Sequence, residues 1–263
     1  MRQRITSTTH RSEVDSGRKP AWHSDADRGV RRHEGDRAIV GTIPGPTSRG
    51  ALVEDRRFHW DIMTITPALA YALVDRLEAA PPDRMLELGS GNSTIILGDY
   101  AARTGRLLVS LEHDASCYMD TTRLLRSFGL QGHVDLRLAP LKQTTCADGG
   151  TYPCYDTQLD GTFDFVLVDG PPALKFGRQA TFFWVYEHLS PGWELWLDDG
   201  YREHERQCVQ LWQSHFALET DLRGLDGKDD YKFRAFVRPD VLKDRGHWIL
   251  RAPDAAAGRY SEP

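Results

Sequence analysis

The sequence predicts an α/β fold that is doubly wound around a mostly parallel, seven-stranded sheet and closed by a C-terminal antiparallel hairpin. From about residue 58 onward, short apolar runs alternate with stretches of helical periodicity, which is the pattern of repeated βαβ units. The run Phe165–Val168 is apolar at every position, as expected of a parallel strand buried between two layers of helices. Glycines follow another such strand at Gly89 and Gly91, which is where Rossmann-like sheets bind ligands.

The helices and strands follow from local signals along the chain. Thr66 can cap a first helix, Pro67 suits its first position, and apolar residues then recur at helical spacing until the Pro81-Pro82 pair ends it. Strands are then expected at 84–88, 107–112, 134–138, 163–168 and 193–198, and helices near 93–103, 115–127, 177–189 and 201–214. The segment 143–160 is expected to be a loop insertion that helps to shape a substrate site.

The end of the sheet is predicted to be antiparallel. Two strand-like runs, 216–223 and 231–237, follow each other without a helix between them. The dipeptide Asp226-Gly227 in the connection is a turn signal, so the two runs should form a hairpin.

Charge and composition divide the chain into three parts. Residues 1–50 carry ten Lys or Arg and six Asp or Glu, about +4, so the rest of this −5 chain carries about −9. We expect a disordered basic extension over 1–55, a folded domain over 56–240 and a C-terminal tail over 241–263. An acidic folded part does not favour nucleic acid or a membrane as a partner. Without a membrane-length apolar run or a signal-peptide core, a cytoplasmic protein is expected.

The four cysteines do not indicate a zinc site, because no two of them form a CxxC pair. Reduced thiols are the expectation for a cytoplasmic protein. Cys146 and Cys154 bracket a loop, so a disulfide between them stays open at this point.

The stretch MLELGSGNST, residues 85–94, indicates a nucleoside site. Its glycines allow close approach of a ligand, and the following helix directs free N–H groups toward an anionic group. Glu112 ends the second strand, 21 residues after Gly91, where a carboxylate can accept hydrogen bonds from both ribose hydroxyls. Glu87 beside the turn would repel a pyrophosphate and attract an ammonium group. S-adenosylmethionine has an adenosine, a carboxylate and an ammonium.

MLELGSGNST and SLEHD together resemble the class I S-adenosylmethionine-dependent methyltransferases over roughly residues 60–238. The resemblance implies that ELGSG is the cofactor turn and that the acid ending the second strand binds the ribose. The S-adenosylmethionine site that it implies comprises Glu87, Gly89, Ser90, Gly91, Asn92, Ser93, Thr94, Glu112, His113, Ala139 and Asp169.

Three carboxylates follow two neighbouring strands: Asp169 after the fourth, and Asp198 and Asp199 after the fifth. Carboxylates that converge on one cleft are costly without a cation, and hard oxygen ligands of this kind suit Mg²⁺. The pattern resembles the metal-dependent O-methyltransferases, which implies that these three residues hold a divalent ion. The alternative is that Asp169 lines the cofactor pocket while Asp198 and Asp199 cap the next helix.

A closer similarity is to the enzymes that methylate glucuronate in plant xylan. It rests on DGPPALKFGR at residues 169–178 and LDDGYREHE at 197–205. LDD stands where that group has His-Asp, and the basic N-terminal segment has no counterpart there. The chemistry is therefore better indicated than the acceptor, which is expected to be a hydroxyl of a small molecule or a sugar.

Catalysis of such a transfer needs alignment of donor and acceptor and weakening of the acceptor O–H bond. Asp169 is a candidate catalytic residue, and the candidate bases are Lys175, six residues further on, and His204 on the last helix. Arg178 or Arg202 is a candidate to hold an anionic acceptor such as a uronate.

Other functions remain as alternatives. A NAD(P)-dependent oxidoreductase would share the fold and Glu112, but Thr94 replaces the third glycine of its fingerprint. A methyltransferase acting on an amine or on nucleic acid is the second alternative. No aromatic follows Pro171-Pro172 to stack on a flipped base. A silent partner with the same fold is the third, and the sequence also leaves a homodimer open.

Overall fold

The computed structural model describes residues 51–61, 63–172, 177–224 and 245–253, all within one compact unit, Ile43–Pro263. The helices are α1 (Pro67–Ala79), α2 (Asn92–Thr104), α3 (Ala115–Phe128), α4 (Gln179–Val185, continued by a 3₁₀ turn over Tyr186–His188) and α5 (Glu203–Gln213). The strands are β1 (Arg84–Leu88), β2 (Leu107–Glu112), β3 (Asp135–Leu138), β4 (Leu141–Thr145), β5 (Thr151–Tyr155), β6 (Phe163–Val168), β7 (Leu189–Asp198), β8 (Glu219–Arg223) and β9 (His247–Arg251).

Seven strands form one sheet in the order β3-β2-β1-β6-β7-β9-β8. The first five in this order run parallel, whereas β9 pairs antiparallel with both β7 and β8. The predicted doubly wound, mostly parallel sheet with an antiparallel C-terminal part is confirmed. Because parallel strands end at the same edge, the ends of β1, β2, β6 and β7 all lie along one rim.

The sheet is buried on both faces because successive strand residues point to opposite sides. Met85 of β1 packs in the cluster with α1, α2 and α3, whereas Leu86 and Leu88 pack in the cluster with α4 and α5. Glu87 is fully buried between these apolar residues. Because strand residues alternate between faces, the side chain of Glu87 points to the same face of the sheet as that of Met85, where α2 begins.

The helix ends follow the sequence signals. Thr66 accepts a hydrogen bond from the Leu69 N–H at 3.2 Å and Pro67 occupies the first turn of α1. Asp114 caps α3 by accepting from the N–H groups of Ser116 and Cys117. Within the described ranges, no helix combines the length and the apolar character that a membrane span requires.

Two expectations about the chain change in the structure. The predicted loop 143–160 overlaps the antiparallel hairpin β4–β5, which begins at Leu141 and forms a separate two-stranded sheet. The predicted tail 241–263 contains β9, so the sheet extends past the predicted domain end at residue 240. β8 matches the first strand of the predicted C-terminal hairpin, but the second, 231–237, lies outside the described residues, and β9 is the partner that the structure shows.

The hairpin also settles the cysteine pairing. Lys142 is the register partner of Cys154, so Cys146 lies four residues further along the ladder, roughly 13 Å away at 3.3 Å per residue. A disulfide needs Cα atoms about 4.4–6.8 Å apart. Cys146 and Cys154 are both free, in agreement with the expectation of reduced thiols.

Candidate active site

The ends of β1 and β6 touch through two glycines. The N–H groups of Asp169 and Gly170 both donate to the Leu88 carbonyl, at 2.8 and 2.6 Å. Gly89 has φ +93°, and a Cβ there would lie 2.6 Å from the Gly170 nitrogen. Only glycine tolerates both this backbone conformation and this approach. The cofactor turn and the acid after β6 are thereby held against each other.

Glu112, at the end of β2, holds the other side of the turn. Its Oε2 accepts from the Ser90 N–H at 2.9 Å and from Ser90 Oγ at 3.2 Å, and its Oε1 accepts from the Asp114 N–H at 2.8 Å. His113 Nδ1 lies 3.0 Å from Oε1. Burial alone would raise the pKa of Glu112, but the hydrogen bonds from His113, Asp114 and Ser90 lower it overall. The carboxylate is therefore ionised and fixed at the rim, as a ribose acceptor requires.

Glu87 lies beneath the turn. Its Oε2 accepts from Thr94 Oγ1 and from Ser110 Oγ, both at 2.6 Å, which ties β1 to α2 and to β2. Its Oε1 has no hydrogen-bond partner among the described residues. Burial raises the pKa of Glu87 to about 7 despite these hydroxyl bonds. The predicted attraction of an ammonium group thus rests on a carboxyl that ionises only near neutral pH.

The start of α2 offers backbone donors rather than side chains. Asn92, Ser93 and Thr94 are all buried, and Asn92 Nδ2 donates to the His59 carbonyl at 2.8 Å. Thr94 Oγ1 accepts from the Gly91 N–H at 2.8 Å while donating to Glu87. What remains for a ligand is the N-terminal N–H array of a 13-residue helix, which favours an anionic group.

Ala139 lies at the end of β3, where its N–H donates to the Glu112 carbonyl at 2.7 Å. It is buried, and Pro140 alone separates it from the hairpin β4–β5. The hairpin returns to the same place through Asp156, whose N–H donates to the Pro140 carbonyl at 2.7 Å. Tyr155, its last residue, is 1 % exposed, and its hydroxyl abuts the glycine junction, 2.7 Å from where a Cβ of Gly170 would stand.

The three predicted aspartates converge beside the glycine junction. Asp169, Asp198 and Asp199 each offer a carboxylate oxygen within 4.8 Å of the others. Burial, followed by the charge of Asp198, raises the pKa of Asp169 well above its ordinary value. Burial and the charge of Asp199 raise the pKa of Asp198 to about 7. Asp198 Oδ2 is buried without a hydrogen-bond partner in the described part of the chain.

Arg178 ties the ends of β6 and β7 together from below the aspartates. Its guanidinium donates to the carbonyls of Asp198 at 3.2 Å, Pro171 at 2.9 Å and Asp169. It is 1 % exposed. A guanidinium so committed to the backbone is not available to a substrate, which corrects the expectation that Arg178 holds an anionic acceptor. Its sequence neighbourhood gave no sign of burial, because arginine is usually a surface residue.

Asp199 is surrounded by arginines. Arg202 Nη1 lies 2.5 Å from its Oδ2, Arg245 Nε lies 3.5 Å from its Oδ1 and Arg178 Nη2 lies 3.7 Å from its Oδ2. Asp199 also has φ +61°, a conformation that is uncommon outside glycine. Arg245 reaches the cluster from a segment predicted as tail, and it also donates to the Thr64 carbonyl. No sequence pattern pointed to it.

The structure describes one of the two candidate bases. His204 is exposed on the first turn of α5, while the next residue, Glu205, is fully buried beside Arg178. Lys175 lies outside the described residues. Of the two described candidates for catalysis, Asp169 and His204, only Asp169 lies with the aspartate cluster at the rim.

A family model described as a methyltransferase domain matches residues 86–200, which run from β1 through the aspartate cluster. No curated protein sequence matches the chain.

Solved structures with the same fold include three from bacteria. The O-methyltransferase from Bacillus cereus in complex with SAH has TM-score 0.53 and 16% identity over 73% of this chain and 84% of its own. Cofactor-bound Rv0187 from MTB has TM-score 0.52 and 17% identity over 81% and 93%. Precorrin-6y C5,15-methyltransferase from Geobacter metallireducens has TM-score 0.54 and 13% identity over 76% and 96%. At these identities the likeness establishes the fold.

The family model and the fold together confirm the predicted resemblance to class I S-adenosylmethionine-dependent methyltransferases. The narrower similarities, to metal-dependent enzymes and to the glucuronate-methylating group, stay predictions. The assignments of individual cofactor and metal residues also stay predictions that the geometry now makes specific.

Proposed function

We propose that this protein is an O-methyltransferase that moves the methyl group of S-adenosylmethionine to a hydroxyl of a small molecule or sugar. The observation that carries the proposal is the contact between two half-sites. The glycine turn with Glu112, which suits a nucleoside, is held against Asp169 and Gly170, which begin the acidic half of the cleft. Donor and acceptor sites within one rim are what an in-line transfer needs.

In this transfer the acceptor oxygen attacks the methyl carbon, and the carbon–sulfur bond breaks with its electron pair going to sulfur. The hydroxyl proton must leave during or before this step. Asp169 suits the role of its acceptor, because a carboxylate of raised pKa holds a proton better than an ordinary one. The side chain of Asp169 is 18% exposed and that of Asp199 is 4% exposed, so Asp169 is the more accessible of the two from the cleft.

The aspartates also fit a divalent cation such as Mg²⁺. Their oxygens lie within 4.8 Å of one another, and the unpartnered Asp198 Oδ2 is a buried hard ligand. Bound there, a cation would lower the pKa of the acceptor hydroxyl. Asp169 and Asp198 fit best as ligands, because Asp199 would first have to weaken its bond to Arg202.

A methyl-transfer assay with labelled S-adenosylmethionine tests both parts of the proposal. Phenols, uronates and other hydroxyl compounds serve as acceptors, with EDTA or Mg²⁺ added to the purified protein. We expect transfer that EDTA abolishes and Mg²⁺ restores, since Asp198 Oδ2 has no hydrogen-bond partner among the described residues and a bound cation would lower the pKa of the acceptor hydroxyl.

Asp198→Asn should lose the restoration by Mg²⁺. Asp221→Asn, which removes one acid from β8, is the matched control and should behave as the wild type. Full activity in EDTA would contradict the metal and leave Asp169, Lys175 or His204 as an unassisted base. Transfer to amines but to no hydroxyl would contradict the acceptor class.

A further inference from the structure

Glu205 is a buried carboxylate that the proposed reaction does not use. It lies in the first turn of α5 and has no exposed surface. Among the described residues, neither of its oxygens accepts a hydrogen bond. Its nearest cations are Arg178 Nη1 at 3.5 Å and Arg202 Nη1 at 3.9 Å, both beyond ordinary charge-assisted hydrogen-bond lengths. Such a group is costly to bury.

Glu205 and the aspartates bind opposite ends of one guanidinium. Arg178 turns Nη2 toward Asp169 at 3.6 Å and toward Asp199 at 3.7 Å, while Nη1 is the atom near Glu205. Because Arg178 is fully buried and fixed by three backbone carbonyls, it cannot move away from either side. The charge of Glu205 therefore changes how far Arg178 neutralises the aspartates.

The charges around the cleft nearly cancel. Among the residues that the structure describes, four acids would contribute −4 when all are ionised, namely Asp169, Asp198, Asp199 and Glu205, and three arginines contribute +3, namely Arg178, Arg202 and Arg245. With all four acids ionised, these seven side chains carry −1. Without the charge of Glu205 they carry no net charge, and a cation gains correspondingly less on entering.

We propose that Glu205 is a positioning residue that offsets the charge of Arg178 and so keeps the aspartate cluster receptive to a divalent cation. This inference rests on the metal part of the proposed function. Glu205 never touches the cation in this account and acts only through Arg178. A buried Glu205 carboxylate that accepts no hydrogen bond then lowers the stability of the fold but favours binding of the cation.

The test measures Mn²⁺ binding to the full-length protein by calorimetry, with no acceptor or S-adenosylmethionine present. Glu205→Gln should weaken Mn²⁺ binding on the order of tenfold, because it removes one unit charge from a low-dielectric network. Its midpoint in urea should change little, because glutamine keeps the shape of the side chain and Arg178 keeps Asp169 and Asp199 as counter-charges. Glu205→Asp keeps the charge and should bind Mn²⁺ within about threefold of the wild type.

Glu203→Gln is the matched control, because Glu203 is exposed in the same helical turn and the change removes the same formal charge. It should leave Mn²⁺ affinity and urea midpoint unchanged. If the Glu205→Gln and Glu203→Gln proteins bind Mn²⁺ with equal affinity, the proposed role of Glu205 is overturned, whereas the proposed metal site is not. Loss of Mn²⁺ binding together with a lower urea midpoint in both Glu205 variants would assign it a merely structural role. A wild-type protein that binds no Mn²⁺ would overturn the metal part of the proposed function as well.

Discussion

Glu87→Gln should remove a pH dependence of stability that the wild-type protein owes to this one buried carboxyl. Glu87 has no exposed surface, and burial raises its pKa from 4.5 to about 7. A difference of about 2.5 in pKa corresponds to roughly 3 kcal/mol at 1.36 kcal/mol for each pKa unit. The hydrogen bonds from the surrounding hydroxyl groups lower the pKa of Glu87, but burial raises it by more.

The direction of this change in stability with pH follows from which state, folded or unfolded, binds the proton more tightly. The folded protein holds the Glu87 proton more tightly than the unfolded chain, so this contribution to stability is fully present below pH 4.5. It is lost as the pH rises through about 7. Glutamine stays neutral and can still bond the hydroxyls of Thr94 and Ser110. The stability of the variant relative to the wild type should therefore rise by roughly 3 kcal/mol between pH 4.5 and pH 8.

Urea unfolding followed by circular dichroism at several pH values measures this difference. Asp169 and Asp198 also have raised pKa values, but they titrate in both proteins and cancel in the comparison. Glu187→Gln, an exposed site, is the control and should follow the wild type at every pH. Parallel curves of stability against pH for the Glu87 variant and the wild type would refute the buried, late-ionising carboxyl.

Two further changes address the cofactor turn. Glu112→Ala should weaken binding of S-adenosylhomocysteine roughly ten- to a hundredfold in calorimetry, since hydrogen bonds to a charged group contribute about 1.5–3 kcal/mol; unchanged affinity would remove its ribose assignment. Gly170→Ala places a Cβ 2.7 Å from Gly89 Cα and from the Tyr155 hydroxyl, so thermal unfolding should show a loss of roughly 1–3 kcal/mol. Gly132→Ala meets nothing within 4 Å, and equal stability of the two alanine variants would contradict the close approach.

The central strands were predictable because their signals are local. β1, β2 and β6 are apolar runs with sharp boundaries, and their observed bounds equal the predicted ones. The convergence of Glu112 and Asp169 on one rim was predictable too, because parallel strands end at the same edge. The hairpin β4–β5 was not predicted because β4 is mostly polar and partly exposed, and the glycines of the turn resemble those of a loop.

The parts that could not be predicted depend on long-range contacts. β9 pairs with β7, about 50 residues earlier in the chain, and its pairing leaves no mark in the sequence near His247. The burial of Arg178 and Glu205 is equally invisible, since both types are usually exposed. Each is buried because the other elements of the cleft supply its counter-charge. The acidic cluster was thus predictable as a set of ligands, but its arginine network was not.

Calorimetric titration of the purified protein with S-adenosylhomocysteine and, separately, with NADH tests the central claim most directly. The glycine turn is held by Glu112 and leads into the start of α2, so S-adenosylhomocysteine should bind there and release measurable heat. NADH should bind far more weakly or not at all. Binding of NADH with no heat from S-adenosylhomocysteine or S-adenosylmethionine would contradict the account.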